Sequence, residues 1–393
     1  MTRPTRGSQL LPYGKQTIDE ADIQSVVDVL RSDWLTTGPL VSQFETAFSD
    51  HTQAYSATSV CNGTAALQAA LHAIDIQPGD QVIVPAITFC ATANAVIYNG
   101  GIPVFADVSA DTLLIDVDDV ANKITKKTKA IIAVDYAGQP CDYTALRQLA
   151  DDFDLFLLAD ACHSLGAFYN HQPVGSLADL SCFSFHPVKP ITCGEGGMIT
   201  VNVADHGLAE KLTRRLHCFR NHGIDSDHRS RQQLGQFEYD MKYLGFNLRL
   251  TDMQCALAMS QLSKLTSFTD RRQFIAREYC RQLEPLADYR PLVHLDDRTH
   301  AYHLMVIRCR SNRDKVFNEL RQRQIAANVH YRPVYQHSYY RERFEVDSIR
   351  CPTAESAYQE ILSLPIFPAM EDHQIEFVSQ SLAEVALATA VSA

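Results

Sequence analysis

An α/β fold is predicted by three features of the chain. Short apolar runs alternate with helical patterns from about residue 55 to 200, the apolar runs are unbroken, and the pattern changes beyond Asp252. Alternating strands and helices imply a sheet with crossover connections, and continuous apolar strands are those buried on both faces. The strands are expected at residues 82–84, 103–106, 130–134 and 155–159. Between them, residues 65–73, 92–98, 117–124 and 143–151 carry helical spacing, so the sheet is expected to be largely parallel. Past Asp252 one long helix is expected from residue 253 to about 286, with Leu257, Leu262, Leu265 and Phe268 available for packing, as a bridge between domains. A strand at 303–307, a helix near 313–323 and a closing helix after Asp372 then predict a small α+β domain. The expected division is a large domain over residues 1–260 and a bridging helix with a small domain over 261–393.

Composition narrows the class. At 393 residues, with 46% apolar and 21% charged side chains, the chain has the profile of a globular protein of one or two domains. No run approaches the ~18 apolar residues of a membrane span. The opening residues Met1-Thr2-Arg3-Pro4-Thr5-Arg6-Gly7 lack the apolar segment of a secretory signal, so a cytoplasmic location is expected. The 11 cysteines, among them Cys61, Cys90, Cys162, Cys182 and Cys309, are scattered without paired spacing and read as reduced thiols. Cys162 and His163 are adjacent, but no second close pair completes a zinc site. The net charge of -11 argues against a nucleic-acid partner. Arg214, Arg215, Arg220, Arg229 and Arg231 form a local exception, read as a solvated helix face and loop.

Ligands in open α/β sheets collect at the carboxyl ends of the strands. Lys189 lies just past such an end, in Ser184-Phe185-His186-Pro187-Val188-Lys189-Pro190, with Gly194-Glu195-Gly196-Gly197 close behind. The flanking prolines forbid a regular helix and hold the lysine on a rigid loop. A desolvated lysine there is a candidate for Schiff-base chemistry, because the neutral amine is the form that attacks a carbonyl. Asp107, Asp135 and Asp160 each follow an apolar run, and any of them could pair a protonated ring nitrogen or simply cap the next loop; periodicity does not choose among them. Val60-Cys61-Asn62-Gly63-Thr64-Ala65-Ala66-Leu67 supplies a strand end, a glycine turn and a helix start, which makes an anion cradle or an ordinary N-cap. Ser184 offers a second hydroxyl. Phe89, where a strand opens into its loop, either packs in the core or presents a face to a planar cofactor.

Taken in order, these motifs resemble the DegT/StrS family of sugar aminotransferases, which are fold-type I enzymes dependent on pyridoxal 5'-phosphate, with pyridoxamine 5'-phosphate as intermediate. The likeness covers essentially the whole chain. It implies that Gly63, Thr64 and Ala65 hold the phosphate, Phe89 stacks on the ring, Asp160 pairs the pyridine nitrogen with His163 nearby, and Lys189 carries the cofactor, with Ser184 beside it. Gly245-Phe246-Asn247-Leu248-Arg249 resembles the segment whose asparagine reaches the neighbouring subunit's phosphate, implying a homodimer with shared active sites.

Four segments are closest to the family branch that forms a 4-amino sugar on the route to pseudaminic acid, the UDP-4-amino-4,6-dideoxy-N-acetyl-β-L-altrosamine transaminases. They contain Tyr13, then Asp33, Trp34, Leu35 and Thr36, then Pro187 to Thr192, and finally His330, Tyr331, Arg332 and Pro333. The branch implies that Tyr13, Asp33 to Thr36, Gly63, Ser184, Asn247 and His330 to Pro333 meet the substrate. The expected partners are a UDP-linked 4-keto-6-deoxy-N-acetylhexosamine and L-glutamate, with 2-oxoglutarate as co-product. Cys193 and Arg332 depart from the usual pattern. The alternatives are amination of another nucleotide-linked keto sugar, or a sugar dehydratase of the same fold; Lys189 speaks against the second, since the known 3-dehydratases carry histidine there.

Overall fold

The computed structural model describes residues 10–226, 231, 235, 237–310, 312–345 and 348–390. The opening residues Met1 to Gly7 and Arg229, both used above, lie outside the described residues.

The chain starts with two helices that the apolar pattern did not announce, α1 (Glu20–Leu30) and α2 (Pro39–Thr52). Their starts have local causes. Asp19 and Asp22 form a reciprocal capping box at α1, and a proline occupies the first turn of α2, where no amide donor is needed. Strands and helices then alternate: β1 (Ser56–Val60), α3 (Gly63–Ala73), β2 (Gln81–Pro85), α4 (Cys90–Tyr98), β3 (Ile102–Ala106), α5 (Val117–Lys123), β4 (Thr128–Val134), α6 (Tyr143–Asp152) and β5 (Phe156–Asp160). A two-stranded hairpin, β6 (Phe168–Tyr169) and β7 (Gln172–Pro173), precedes β8 (Leu180–Ser184), β9 (Gly197–Val201) and α7 (His206–Arg220).

Seven strands form one sheet in the order β1-β9-β8-β5-β4-β2-β3. Strand β9 pairs antiparallel with both neighbours, and all other pairings are parallel. The mostly parallel α/β class is therefore borne out. Six carboxyl ends gather at one edge, and register sets which of them are neighbours: Val60 and Ser184 both face Gly197, Val134 faces Asp160, and Asp160 faces Cys182. The strand interiors, such as Ile83, Val84, Ile131, Ile132, Leu157 and Leu158, have no exposed surface. Each fully buried aliphatic side chain of this kind contributes ~1.5–3 kcal/mol.

The second sheet, β10 (Tyr289–Pro291), β11 (Met305–Cys309) and β12 (Ile361–Leu364), is antiparallel. Its core joins Ile307, Leu362 and Leu364 to Tyr279 and Leu283 of the helix Leu265–Leu283, Leu320 of Arg313–Gln322, and Val378 and Leu382 of Asp372–Ala390. Leu11 packs into this core and its amide donates to the Gln324 carbonyl at 2.9 Å. The start of the described chain is thus held by its last third.

Two expectations are corrected. The single helix from 253 to about 286 is two helices, Asp252–Leu262 and Leu265–Leu283, broken at Ser263 and Lys264. The Lys264 amide bonds three residues back, to Gln261 at 3.0 Å, while its ammonium pairs with Asp19 and with buried Asp22 of α1. A tertiary anchor fixes the break there, just past the domain boundary expected at 260. The strand expected at 303–307 begins at Met305, because the Leu304 amide donates to the Ala137 carbonyl at 3.1 Å instead of entering the ladder. His303 and Leu304 approach the strand without belonging to it.

Candidate active site

Lys189 lies on the loop between β8 and β9. The loop is closed at its base by Phe185 donating to Gly196 at 2.8 Å and Cys193 donating to Phe185 at 3.1 Å, and it turns at Lys189, whose amide donates to His186 at 2.9 Å. The Lys189 side chain is partly buried. Burial lowers its pKa below the ordinary lysine value, and the nearby Cys162 and Asp160 oppose that shift only in part. The loop therefore holds an amine biased toward its nucleophilic, proton-accepting form.

The three strand-end aspartates have different surroundings. Asp107 accepts from the amides of Thr353 and Ala354, so it caps the helix Pro352–Glu360 from far along the chain. Asp135 is fully buried and accepts from Ser164, Tyr143 and Cys141. Asp160 accepts from the Thr92 hydroxyl at 2.7 Å and more distantly from the Cys162 amide at 3.3 Å, and it acts electrostatically on Lys189. Of the three, Asp160 shares its surroundings with the lysine. Thr92, itself bonded to the Thr88 hydroxyl at 2.7 Å, orients the carboxylate. Thr92 was missed in the sequence, where only the four-residue spacing of two hydroxyls at the start of α4 marks it.

Helix α3 begins beside Ser184. Asn62 caps it, accepting from Ala65 at 2.8 Å, which leaves the first-turn amides of Gly63 and Thr64 without intrahelical acceptors. A Cβ on Gly63 would come within 2.9 Å of the Ser184 Cβ and 3.2 Å of the Cys162 sulfur, so the close approach requires glycine. Free amides at a helix start, a hydroxyl, a carboxylate at a strand end and a desolvated lysine together fit a phosphorylated pyridine that carries a carbonyl.

An aromatic and imidazole wall stands opposite. Phe89 is 55% exposed, so it presents an open face where core packing was the other expectation, and its ring centroid lies 6.0 Å from that of Tyr331. The Tyr331 hydroxyl contacts His163 Nε2 at 3.3 Å, His303 lies 4.3 Å from His163 between ring centroids, and Tyr13 lies 5.3 Å from His330. Tyr13 is fixed through its carbonyl, which accepts from the Ile366 amide at 2.9 Å, and Gly14 lies close to Val188 on the lysine loop. His330 is held by Ser363 at 2.8 Å. Burial, then the Lys189 charge, lowers His163 and His303 well below the ordinary histidine pKa and takes His330 down to about 3. All three imidazoles are neutral at neutral pH, so they add hydrogen-bonding edges without adding positive charge.

Asp33 to Thr36 pack toward the start of the helix Asp252–Leu262, and Asn247 adjoins Leu248, whose carbonyl accepts from the Cys61 amide at 2.8 Å just before α3. Asp33, Leu35 and Thr36 are exposed, and Trp34 lines a cavity of about 540 Å³ with Val29, Pro39, Leu40 and Ala256. That stretch is tied to Asp252, whose carboxylate accepts from the Gly38 and Leu40 amides. Asn247 is exposed and bridged to Asn221. Arg332 is exposed, whereas Pro333 is buried and the next amide, that of Val334, donates to Ala86 at 2.9 Å. The arginine cluster is a solvated face only in part: Arg214 is exposed, but Arg215 pairs with Asp75, and Arg220 with Glu45 and the Ser59 carbonyl. Arg214, Arg220, Arg231 and Arg249 also line a cavity of about 810 Å³ whose lining includes Leu250, beside Gly196 at the base of the lysine loop.

All 11 cysteines are free thiols. Among the described residues, no group of three or more His, Cys, Asp or Glu is arranged to hold a metal, and no helix is long and apolar enough to cross a membrane.

Comparison with known proteins gives a concordant result. The model of the DegT/DnrJ/EryC1/StrS aminotransferase family matches residues 16–383. The spore coat polysaccharide biosynthesis protein SpsC of Bacillus subtilis is 35% identical over 386 residues, covering 96% of this chain and 97% of its own. Among solved structures, Helicobacter pylori PseC, an aminotransferase involved in the biosynthesis of pseudaminic acid, superimposes with a TM-score of 0.89 at 31% identity, covering 97% of this chain and 100% of its own. The sugar aminotransferase Spr1654 of Streptococcus pneumoniae, described as putative and solved with pyridoxamine phosphate and with pyridoxal phosphate, gives a TM-score of 0.88 in both forms. The pyridoxamine form is 31% identical, over 95% of this chain and 98% of its own.

Proposed function

The chain belongs to the DegT/DnrJ/EryC1/StrS aminotransferase family and is a pyridoxal-phosphate-dependent sugar aminotransferase, and from that premise we propose that it transfers the amino group of L-glutamate to C4 of a UDP-linked 4-keto-6-deoxy-N-acetylhexosamine. The observation that carries this reading is the convergence of Lys189, Asp160 and the Gly63 cradle at one sheet edge, faced by a wall that begins with Tyr13 and His330. The likeness to PseC and the four branch-like segments support the choice of sugar.

Bound at this edge, pyridoxal phosphate supplies a carbonyl that takes up an amino group and a ring that withdraws electrons from the neighbouring carbon. Lys189 would hold it through that carbonyl. Freed from that carbonyl, the Lys189 amine would be the group that takes up and returns the substrate's α-proton, and its lowered pKa suits both transfers. Asp160, oriented by Thr92, would accept the hydrogen bond of the protonated ring nitrogen. The Gly63 and Thr64 amides, with Ala65 behind them and the Ser184 hydroxyl alongside, would hold the phosphate. Phe89, whose face is exposed, would cover one ring face, and His163, three residues after Asp160, would lie beside the ring. Tyr13 and His330 to Pro333 would line the sugar-nucleotide side, and Asp33 to Thr36 would join it across the dimer.

The proposed enzyme is a homodimer. Phe237, Tyr239, Met241, Leu244 and Phe246 are 86%, 63%, 58%, 77% and 45% exposed, an apolar run ending at Asn247 that a second copy would cover. Covered in this way, Asn247 of each copy would reach the other's phosphate. The same reading places the enzyme in the cytoplasm, in keeping with its unpaired cysteines.

The test is to incubate the protein with glutamate and a panel of UDP- and dTDP-linked 3-keto and 4-keto sugars, followed by product analysis. Nitrogen at C4 of the UDP-linked 4-keto-6-deoxy-N-acetylhexosamine is expected. Amination of a dTDP-linked 3-keto sugar alone would overturn the substrate assignment and leave the cofactor chemistry intact.

A further inference from the structure

The mechanism above makes no use of Asp135, a carboxylate with no exposed surface at the end of β4. It lies one strand from Asp160: Val134 faces Asp160 in register, and the Asp135 amide donates to the Asp160 carbonyl at 3.2 Å. One carboxylate oxygen accepts from the Tyr143 hydroxyl and from the Cys141 amide, both at 2.9 Å, and the other accepts from the Ser164 hydroxyl at 2.6 Å. Ser164 closes the turn that begins at Asp160 and carries His163.

The residues that follow extend the same anchorage. Tyr136 donates its hydroxyl to the His330 carbonyl, the Ala137 carbonyl accepts from Leu304 at 3.1 Å, and that of Gly138 accepts from Ala301 at 2.9 Å. Gly138 has φ +109, and a Cβ there would come within 2.9 Å of both the His163 carbonyl oxygen and the Tyr302 amide nitrogen. One buried turn therefore touches the Asp160 turn, the approach to β11 with His303, and His330.

We propose that Asp135 is a positioning residue for transamination: its ionised carboxylate, gripped by Ser164, Tyr143 and Cys141, locks the 160–164 turn so that Asp160 faces the ring nitrogen. The proposal rests on Asp160 being that nitrogen's partner. The Cys141 amide can only donate, and both hydroxyls are oriented to donate, so the ionised carboxylate takes all three bonds. A proton on it obliges a hydroxyl to turn and accept; Ser164, which can donate instead to the Ala161 carbonyl, is the one free to do so, and that changes the grip on the turn. Burial pushes the Asp135 carboxyl up to about 6, partly countered by its three hydrogen bonds, with Asp160 as the charged neighbour. Other groups near it are Tyr143 and Cys141, both held protonated by burial.

The experiment measures kcat against pH for the holoenzyme, the pH titration of its visible absorbance band without substrate, and the ¹³C shift of the Asp135 carboxyl in the apoprotein. Ser164→Ala and Tyr143→Phe each remove a bond that favours the charged form. The acid limb of kcat, the band titration and the carboxyl titration should then all move to higher pH, with KM for glutamate little changed. Asp135→Asn should abolish that limb and lower kcat at neutral pH about tenfold. Unmoved titrations in Ser164→Ala and Tyr143→Phe, with only thermal stability altered, would show Asp135 to be a structural residue and overturn the proposal. Asp160→Asn is the separate control: if the band titration survives that change, the assignment of Asp160 itself fails.

Discussion

The chemistry of Lys189 depends on where its amine is held. The prolines on either side and the backbone closure from Phe185 to Gly196 fix the loop, and burial lowers the amine's pKa. Lys189→Ala removes both the attachment point and the proton carrier; turnover should fall by more than the ~10²–10⁴-fold that general acid–base catalysis alone supplies. Thr92→Val tests the partner carboxylate. It deletes the 2.7 Å bond to Asp160, and with a charge-assisted bond contributing ~1.5–3 kcal/mol, kcat should drop roughly tenfold or more while the protein still folds. Asp135 gives a stability prediction with a definite sign. Its folded pKa is raised from 3.8 to about 6, so its contribution to stability is full below pH 3.8 and is lost as pH rises through 6. In the apoprotein, Asp135→Asn should therefore gain on the wild type between pH 4 and 7, by roughly 3 kcal/mol, as read by denaturant unfolding.

Helix α3 and the strands around it show how an element makes a site. Gly63→Ala would favour the helix slightly by propensity, but its Cβ meets Ser184 at 2.9 Å. Weaker retention of pyridoxal phosphate in equilibrium dialysis, with a loss of apoprotein stability of ~1–3 kcal/mol from the overpacked contact, is the expected outcome. At this scale much was legible in the sequence. The Asn62-Gly63-Thr64 turn marked the helix start, and unbroken apolar runs marked the parallel strands, because both signals are local. The choice among Asp107, Asp135 and Asp160 was not legible, since it depends on partners far along the chain, such as the Thr353 amide or the Ser164 hydroxyl. The break at Ser263 and Lys264 was hidden for the same reason: its cause is an ion pair with α1, not a helix-breaking residue.

Across the whole molecule, the site is assembled from distant parts. Leu11 packs in the C-terminal core, which delivers Tyr13 to His330, while Asn247 and the apolar side chains from Phe237 to Phe246 are exposed, as the proposed dimer requires. The family likeness pointed to Tyr13, Asp33 to Thr36 and Asn247 together; within a single chain the Tyr13 segment meets the lysine loop through Gly14 and Val188, while Asp33, Leu35, Thr36 and Asn247 are exposed. If the sites are shared, mixing Lys189→Ala and Asn247→Ala subunits should restore activity that neither variant shows alone, because each hybrid dimer contains one intact site. The central claim, that Lys189 is the lysine that holds the cofactor, is tested most directly by reducing the yellow holoenzyme with borohydride and mapping the labelled peptide by mass spectrometry. A pyridoxyl group on Lys189, absent when glutamate has first converted the enzyme to its pyridoxamine form, is the predicted result. A label on any other lysine would contradict it.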